Sequence, residues 1–257
     1  MLFKKSLFVA ASLFVLTASY SRAVIADNFN DNTTGPEWTQ VIDDGSVLSL
    51  AEQNQRLEVL ASNPPLATTD AIYLSNGPSG FRLSTSANFQ IAIDYNFATV
   101  NGSSAASGNG LALVFGVGRD LDGTDSAAIG FGYVKLGSSI FSALTEAHRI
   151  NDQQTTNVLG FGTTSGAFVI SYDAAGDDLT LGVGATTYTL QDTVRGVWGA
   201  SDLLVSFGAR GNGFSTVSGN ATLDNFQVQS GNIVPEPGSA ALLALGIAGI
   251  LSRRRVC

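Results

Sequence analysis

The stretch FQIAIDYNF, residues 89–97, puts Phe89, Ile91, Ile93, Tyr95 and Phe97 at every second position, with Gln90, Ala92, Asp94 and Asn96 between them. A period of two is the signature of a strand with one side in a core and the other toward solvent, and a helix cannot satisfy it. The pattern recurs. LALVFGVG alternates Leu111, Leu113, Phe115 and Val117 with Ala112, Val114, Gly116 and Gly118, a second face small enough for close backbone approach. FVISYDAAGDDLTLGVG alternates into and out of an Asp/Gly turn and predicts a hairpin over 168–184, followed by a TTYTL strand. LLVSFGAR adds Leu203, Val205 and Phe207. ATLDNFQVQ slips phase between Leu223 and Phe226, which predicts a bulge. Only SSIFSALTEAHRI, residues 138–150, carries helical spacing, through Ile140, Leu144 and Ala147, and it divides between a short helix and a strand with a loop.

About twelve short strands separated by turns predict an all-β chain, a two-sheet antiparallel β-sandwich of jelly-roll type. The loop Asn101–Gly110, NGSSAASGNG, joins two of its core strands. No repeat of fixed period argues for a solenoid.

Both ends read as processing segments. Lys4 and Lys5 precede an apolar run, Leu7–Ala18, of about twelve residues, short of the ~20 a spanning helix needs. Small residues then offer cleavage after Ala23 or Ala26, so residues 1–26 are expected to form a signal helix read by the secretion translocon. The segment 233–257 contains Pro235-Glu236-Pro237, an uncharged run from Gly238 to Leu251, and Arg253, Arg254 and Arg255. The run would be about 21 Å long as a helix against a hydrocarbon core of about 30 Å, so it inserts as a short transmembrane helix only by thinning the bilayer or by snorkelling of its flanks. The arginines stay on the cytoplasmic side.

Between these ends lies a predicted single domain, 27–232. It holds seven basic residues against twenty acidic ones. A surface that negative repels phosphate backbones, so no nucleic acid is expected as partner. The chain's one cysteine, Cys257, lies outside the domain, so stability must come from buried apolar area alone.

Two resemblances follow from these residues. DNFNDNTTGPEWTQ (27–40), ISYDAAGDDLTLGV (170–183) and ATLDNFQV (221–228) resemble the concanavalin A-like lectin/glucanase sandwich. The tail, through Pro235-Glu236-Pro237, the apolar run and Arg253–Arg255, resembles the PEP-CTERM sorting signal of Gram-negative bacteria. The second resemblance implies recognition by an exosortase, a membrane protease-transpeptidase. It implies an intermediate anchored transiently in the inner membrane, then release to the cell surface or extracellular matrix. Cys257 is no part of that signal, and is either lipidated or discarded with the tail; discard is the favoured reading.

Chemistry is sparse. Glycosidases of the resembling sandwich use paired carboxylates on one strand, in a Glu-x-Asp-x-(x)-Glu spacing. The domain's glutamates, Glu37, Glu52, Glu58 and Glu146, show no such company. His148, the sole histidine, lacks triad partners and reads as a surface residue near a helix end. Asp120, Asp122 and Asp125 around Gly123 form a candidate Ca²⁺ loop, weighed against an ordinary solvated turn; Asp173, Asp177 and Asp178 form a weaker one. Trp38 and Trp198 are expected in the core rather than exposed for stacking on sugars. The expected function is a non-catalytic surface or matrix protein of a biofilm type, adhesive or structural, with extracellular polysaccharide as a weak ligand. The alternatives are a divergent glycan hydrolase and a passive coat protein.

Overall fold

The computed structural model describes residues 26–61, 68–102 and 105–235. Ala23, the remainder of the signal segment, and the tail from Glu236 through Pro237 to Arg253–Arg255 lie outside the described residues, and with them both expected helices. Seventeen strands follow one another: β1 (Ala26–Asp27), β2 (Thr39–Ile42), β3 (Leu48–Gln53), β4 (Arg56–Ala61), β5 (Thr69–Leu74), β6 (Phe81–Ser84), β7 (Phe89–Phe97), β8 (Gly110–Gly118) and β9 (Ser126–Leu136). They continue with β10 (Ser139–Ile150), β11 (Gln153–Gly160), β12 (Ser165–Asp173), β13 (Asp178–Val183), β14 (Thr186–Leu190), β15 (Asp202–Gly211), β16 (Ala221–Ser230) and β17 (Ile233–Pro235).

The strands form two antiparallel sheets. One has eight strands in the order β14-β13-β12-β7-β16-β4-β3, with β1 beside β16. The other has nine in the order β11-β10-β9-β8-β15-β5-β2, with β6 beside β15 and β17 beside β6. The alternation of FQIAIDYNF becomes packing: Phe89, Ile91, Ile93, Tyr95 and Phe97 are all at most 3 % exposed, while Gln90 and Asp94 face solvent. They meet Leu111, Leu113, Phe115 and Val117 of β8 across one continuous core. Trp38 is buried among Phe81, Phe207 and Phe226, all edge-on to its ring, and its Nε1 donates to Asp27 Oδ2 at 2.8 Å. Trp198 is buried too.

The hairpin at 168–183 forms as expected, with Asp173 opposite Asp178. The predicted bulge in β16 is present: pairing with β7 shifts between Asp224 and Gln227, and Asn225 takes a positive φ of 50°. That shift lets Leu223, Phe226 and Val228 all point inward. The loop 101–110 joins β7 and β8, which lie in opposite sheets.

The helical option for 138–150 is wrong. Ser139–Ile150 is strand β10, paired along its length with β9. Its inward face carries Leu144, Glu146 and His148, and the polar pair disguises the period of two. Glu146 is fully buried and satisfied, accepting from His148 Nδ1 at 2.8 Å and from Asn157 Nδ2 at 2.9 Å. His148 is therefore no surface residue at a helix end; its side chain is 11 % exposed and stacks on Tyr188.

Candidate functional site

The middle of the outward face of the nine-stranded sheet is rich in small residues. Across neighbouring strands it aligns Ala147, Ala128, Gly116 and Ser206 in one row, and Thr145, Gly130, Val114 and Gly208 in the next. A Cβ on Gly116 would sit 2.9 Å from the Ala128 Cβ and 3.1 Å from Ser206 Oγ; one on Gly132 would sit 2.6 Å from the Ala112 Cβ. At Gly116 and Gly132 neighbouring strands are crowded together, as on the inside of a curve, and a side chain there meets its neighbours. The small face of LALVFGVG was visible in the sequence; its use as the floor of a curved sheet was not.

The curvature leaves a groove of about 340 Å³. Val114, Ala128, Ala147 and Ser206 belong to its floor, Asp43, Asp70 and Arg210 to one flank, and Asp120–Gly123, Arg149 and Gln154 to the other. Leu121, 56 % exposed, stands on the rim. Asp70 is the most unusual group here. Its backbone N–H donates to Asp43 Oδ2 at 2.9 Å, and its Oδ2 lies 3.5 Å from Arg210 Nη1. Its Oδ1 is buried and has no hydrogen-bond partner. Burial pushes this carboxyl up from its ordinary value; Arg210 opposes that, Asp43 adds to it, and Arg149 from across the groove opposes it again. An acceptor withdrawn from water and left unmatched is costly, and the neighbouring Arg210 and Arg149 charges offset part of that cost.

The acidic loop forms the other rim, and its carboxylates are employed locally. Asp120 Oδ1 accepts from Thr124 N, and Asp122 Oδ1 from the Thr124 hydroxyl at 2.8 Å. That hydroxyl is the main cause holding Asp122 below the ordinary carboxylate range. Asp125, 1 % exposed, accepts from Asn151 N at 2.8 Å and pairs with Arg119 Nη1 at 2.9 Å, the same guanidinium whose Nη2 holds Asp120 Oδ2 at 3.1 Å. Asp177 of the second turn likewise accepts from Tyr172 Oη and from the Arg195 and Gly196 amides. Among the described residues no group of three histidine, cysteine or carboxylate side chains converges to hold a metal.

Two further carboxylate features escaped the sequence. Asp94 and Asp224 stand directly opposite each other on β7 and β16. Burial first, then Asp94, raises the Asp224 carboxyl, against hydrogen bonding from the Asn225 amide. They are 130 positions apart, so no local spacing announces them. Glu52 on β3 has both carboxylate oxygens buried and without a well-formed hydrogen bond, the Tyr73 hydroxyl being close by. Burial, then the charges of Asp27, Asp31 and Glu37, push it up to about 7, with the Tyr73 hydroxyl pulling the other way.

Of the sorting residues, Pro235 alone is described. It closes β17, opposite Phe81, so Ile233–Pro235 belongs to the sandwich's own hydrogen-bonded edge. Ala26, one of the two cleavage candidates, pairs with Gln227 in β1. Residues 234–255 match the family model of the PEP-CTERM protein-sorting motif.

The chain carries a PEP-CTERM sorting motif.

This PEP-CTERM motif implies exosortase-sorted export through a membrane-anchored intermediate. It spans a small part of the chain and says nothing of what the sandwich binds. No curated protein matches the sequence. Several solved structures are similar to the sandwich in fold. The CBM2 module of the evolved Dit of Lactobacillus casei BL23 phage J-1 is 13 % identical, with a TM-score of 0.49, covering 81 % of this chain and 99 % of that one. A glycoside hydrolase family 16 endo-glucanase from Bacteroides ovatus is 10 % identical, with a TM-score of 0.48, covering 82 % and 99 %. Lectin II from Ulex europaeus is 13 % identical, with a TM-score of 0.48, covering 79 % and 97 %.

Proposed function

We propose that this is an exported surface or extracellular-matrix protein whose sandwich holds polysaccharide in the outer groove of the nine-stranded sheet without cleaving it. The observation that carries this reading is a groove of about 340 Å³ whose opposite flanks bear Arg210 with Asp70 and Arg149 with Asp120 and Asp122. A hydroxyl-rich chain lying across a floor of small and aliphatic side chains would accept from the Arg210 and Arg149 guanidinium groups and donate to the carboxylates on the rims. The floor presents no aromatic ring, so affinity would come from many polar contacts along the chain rather than from stacking. The sorting motif supports delivery of such a binder to where polysaccharide lies.

A second reading, a divergent glycan hydrolase, is favoured by the Asp94–Asp224 pair. Two facing carboxylates of which one is raised are the raw material of acid–base cleavage. The two readings separate in one experiment. The purified protein is incubated with a panel of insoluble and soluble polysaccharides, and both retention and new reducing ends are measured. Retention without reducing ends supports the binder. Reducing ends that vanish in Asp94→Asn or Asp224→Asn support the hydrolase and overturn the binder.

A further inference from the structure

Each sheet of the sandwich ends at two edges, and they are treated unequally. The edge of β3 is capped by Gln40, whose Nε2 donates to Leu50 O at 3.0 Å. That Gln40 belongs to β2, the other end of the nine-stranded sheet, so β2 is tied to β3 on this flank, and the free side of β6 is covered by β17. On the opposite flank, among the described residues, β11 pairs only with β10 and β14 only with β13. Among the described residues no backbone hydrogen bond from a loop reaches either outer edge. The two strands lie beside each other, so both sheets stop at the same flank.

The sequence of that flank is unusual for exposed edges. QQTTNVLG and TTYTL contain no charge and no proline in a chain of net charge −8. Natural edges are ordinarily guarded by lysine, proline or a bulge, because open N–H and C=O groups template pairing with another strand. The one irregularity in β11 falls near its end, where pairing with β10 shifts beyond Val158. Gln153–Val158 remains a regular, threonine-rich run, and Val158 is 73 % exposed.

We propose that β11 is a self-association edge that pairs antiparallel with β11 of a second copy, continuing the nine-stranded sheet across a two-fold axis. The occupant follows from charge. Two bodies this acidic repel over most of their surfaces, and the flank of β11 and β14 is where both sheets end without a single carboxylate on the edge strands. It follows also from symmetry. Residues opposite one another in an antiparallel ladder share a face, so a two-fold axis normal to the sheet passes through a residue. With the axis at Thr156, Thr155 meets Asn157 and Gln154 covers Val158, all pairs of compatible size and no charge. The uncharged β14 edge lies alongside as a second contact between the copies.

The test is the mass of the exported protein in solution. Sedimentation velocity across dilutions up to roughly 100 µM is expected to show a concentration-dependent dimer. Hydrogen exchange of the 153–158 amides is expected to slow as the dimer forms. The variant carrying Thr155→Lys and Thr156→Lys places like charges opposite each other whether the axis lies at 155 or at 156. It should weaken association by roughly tenfold or more, with an unchanged melting midpoint since both side chains are exposed. A wild-type protein that stays monomeric throughout overturns the proposal. So does a double-lysine variant that dimerises like the wild type, which would place the interface elsewhere.

Discussion

At the scale of single residues, the informative groups are carboxylates, and their roles are set by what surrounds them. Glu52 sits at about 7 in the folded protein against 4.5 for the unfolded chain. The folded state therefore binds the extra proton between those values, and stability falls as pH rises from about 4.5 through 7. Glu52→Gln should match the wild type in the acid range. At pH 8 it should be more stable by about 1 kcal/mol, a figure reduced for solvent screening around a half-buried group. Thermal melts of both proteins from pH 4 to pH 8 check this; parallel curves would contradict it. Asp125 is the opposite case, a buried acceptor fully matched by Arg119 and Asn151. Asp125→Ala should cost about 2–3 kcal/mol by stranding those partners. Added Ca²⁺ should leave the wild-type melting midpoint where chelator leaves it, because Arg119 already neutralises both Asp120 and Asp125 and Asp122 is engaged by Thr124. In the sequence the three aspartates looked alike. What separates them is the partner each one meets: Arg119 bridges Asp120 and Asp125, the β10–β11 turn offers the Asn151 amide to Asp125, and Asp122 has the Thr124 hydroxyl.

At the scale of elements, alternation was the readable signal wherever one face was apolar and the other polar. β7, β8, β12 and β13 follow it almost residue by residue, and the β16 bulge was legible as a phase slip. It failed in β10, where Glu146 and His148 point inward and satisfy each other, so buried polarity imitated a helix's solvent face. Short strands such as β1, β6 and β17 were illegible because two to four residues make no period. β17 has a consequence for processing. Val234 lies opposite Arg82 and Pro235 opposite Phe81, so the start of the sorting motif is held in the body's own ladder. Proteases take up substrate in extended form, which a paired strand cannot offer until it is released. A strand of three residues at an edge opens readily. A disulfide between Arg82→Cys and Val234→Cys, in a Cys257→Ser background, should hold β17 down. The expected result is retention of the tail in the oxidised protein, while each single-cysteine variant is processed like the wild type. Equal processing of the locked form would show that β17 need not leave.

At the scale of the whole molecule, the sandwich separates duties by location: a sorting segment leaves from one guarded edge, an unguarded edge lies on the far flank, and a groove crosses the outer face of the larger sheet. The architecture was foreseeable from strands, turns and the absence of domain cysteines. The groove was not, because Asp70, Arg149 and Arg210 come from three strands that the fold alone brings around one floor. Filling that floor is the most direct test of the account. Ala128→Phe places a ring in the groove at a half-buried position on its floor, away from the core. Affinity electrophoresis of wild type, Ala128→Phe and Asp70→Ala in gels containing a retained polysaccharide compares them under one condition. The account predicts that the wild type is retarded and that both variants, still folded by their melting midpoints, run as they do without polysaccharide. Undiminished retardation of folded Ala128→Phe would contradict it.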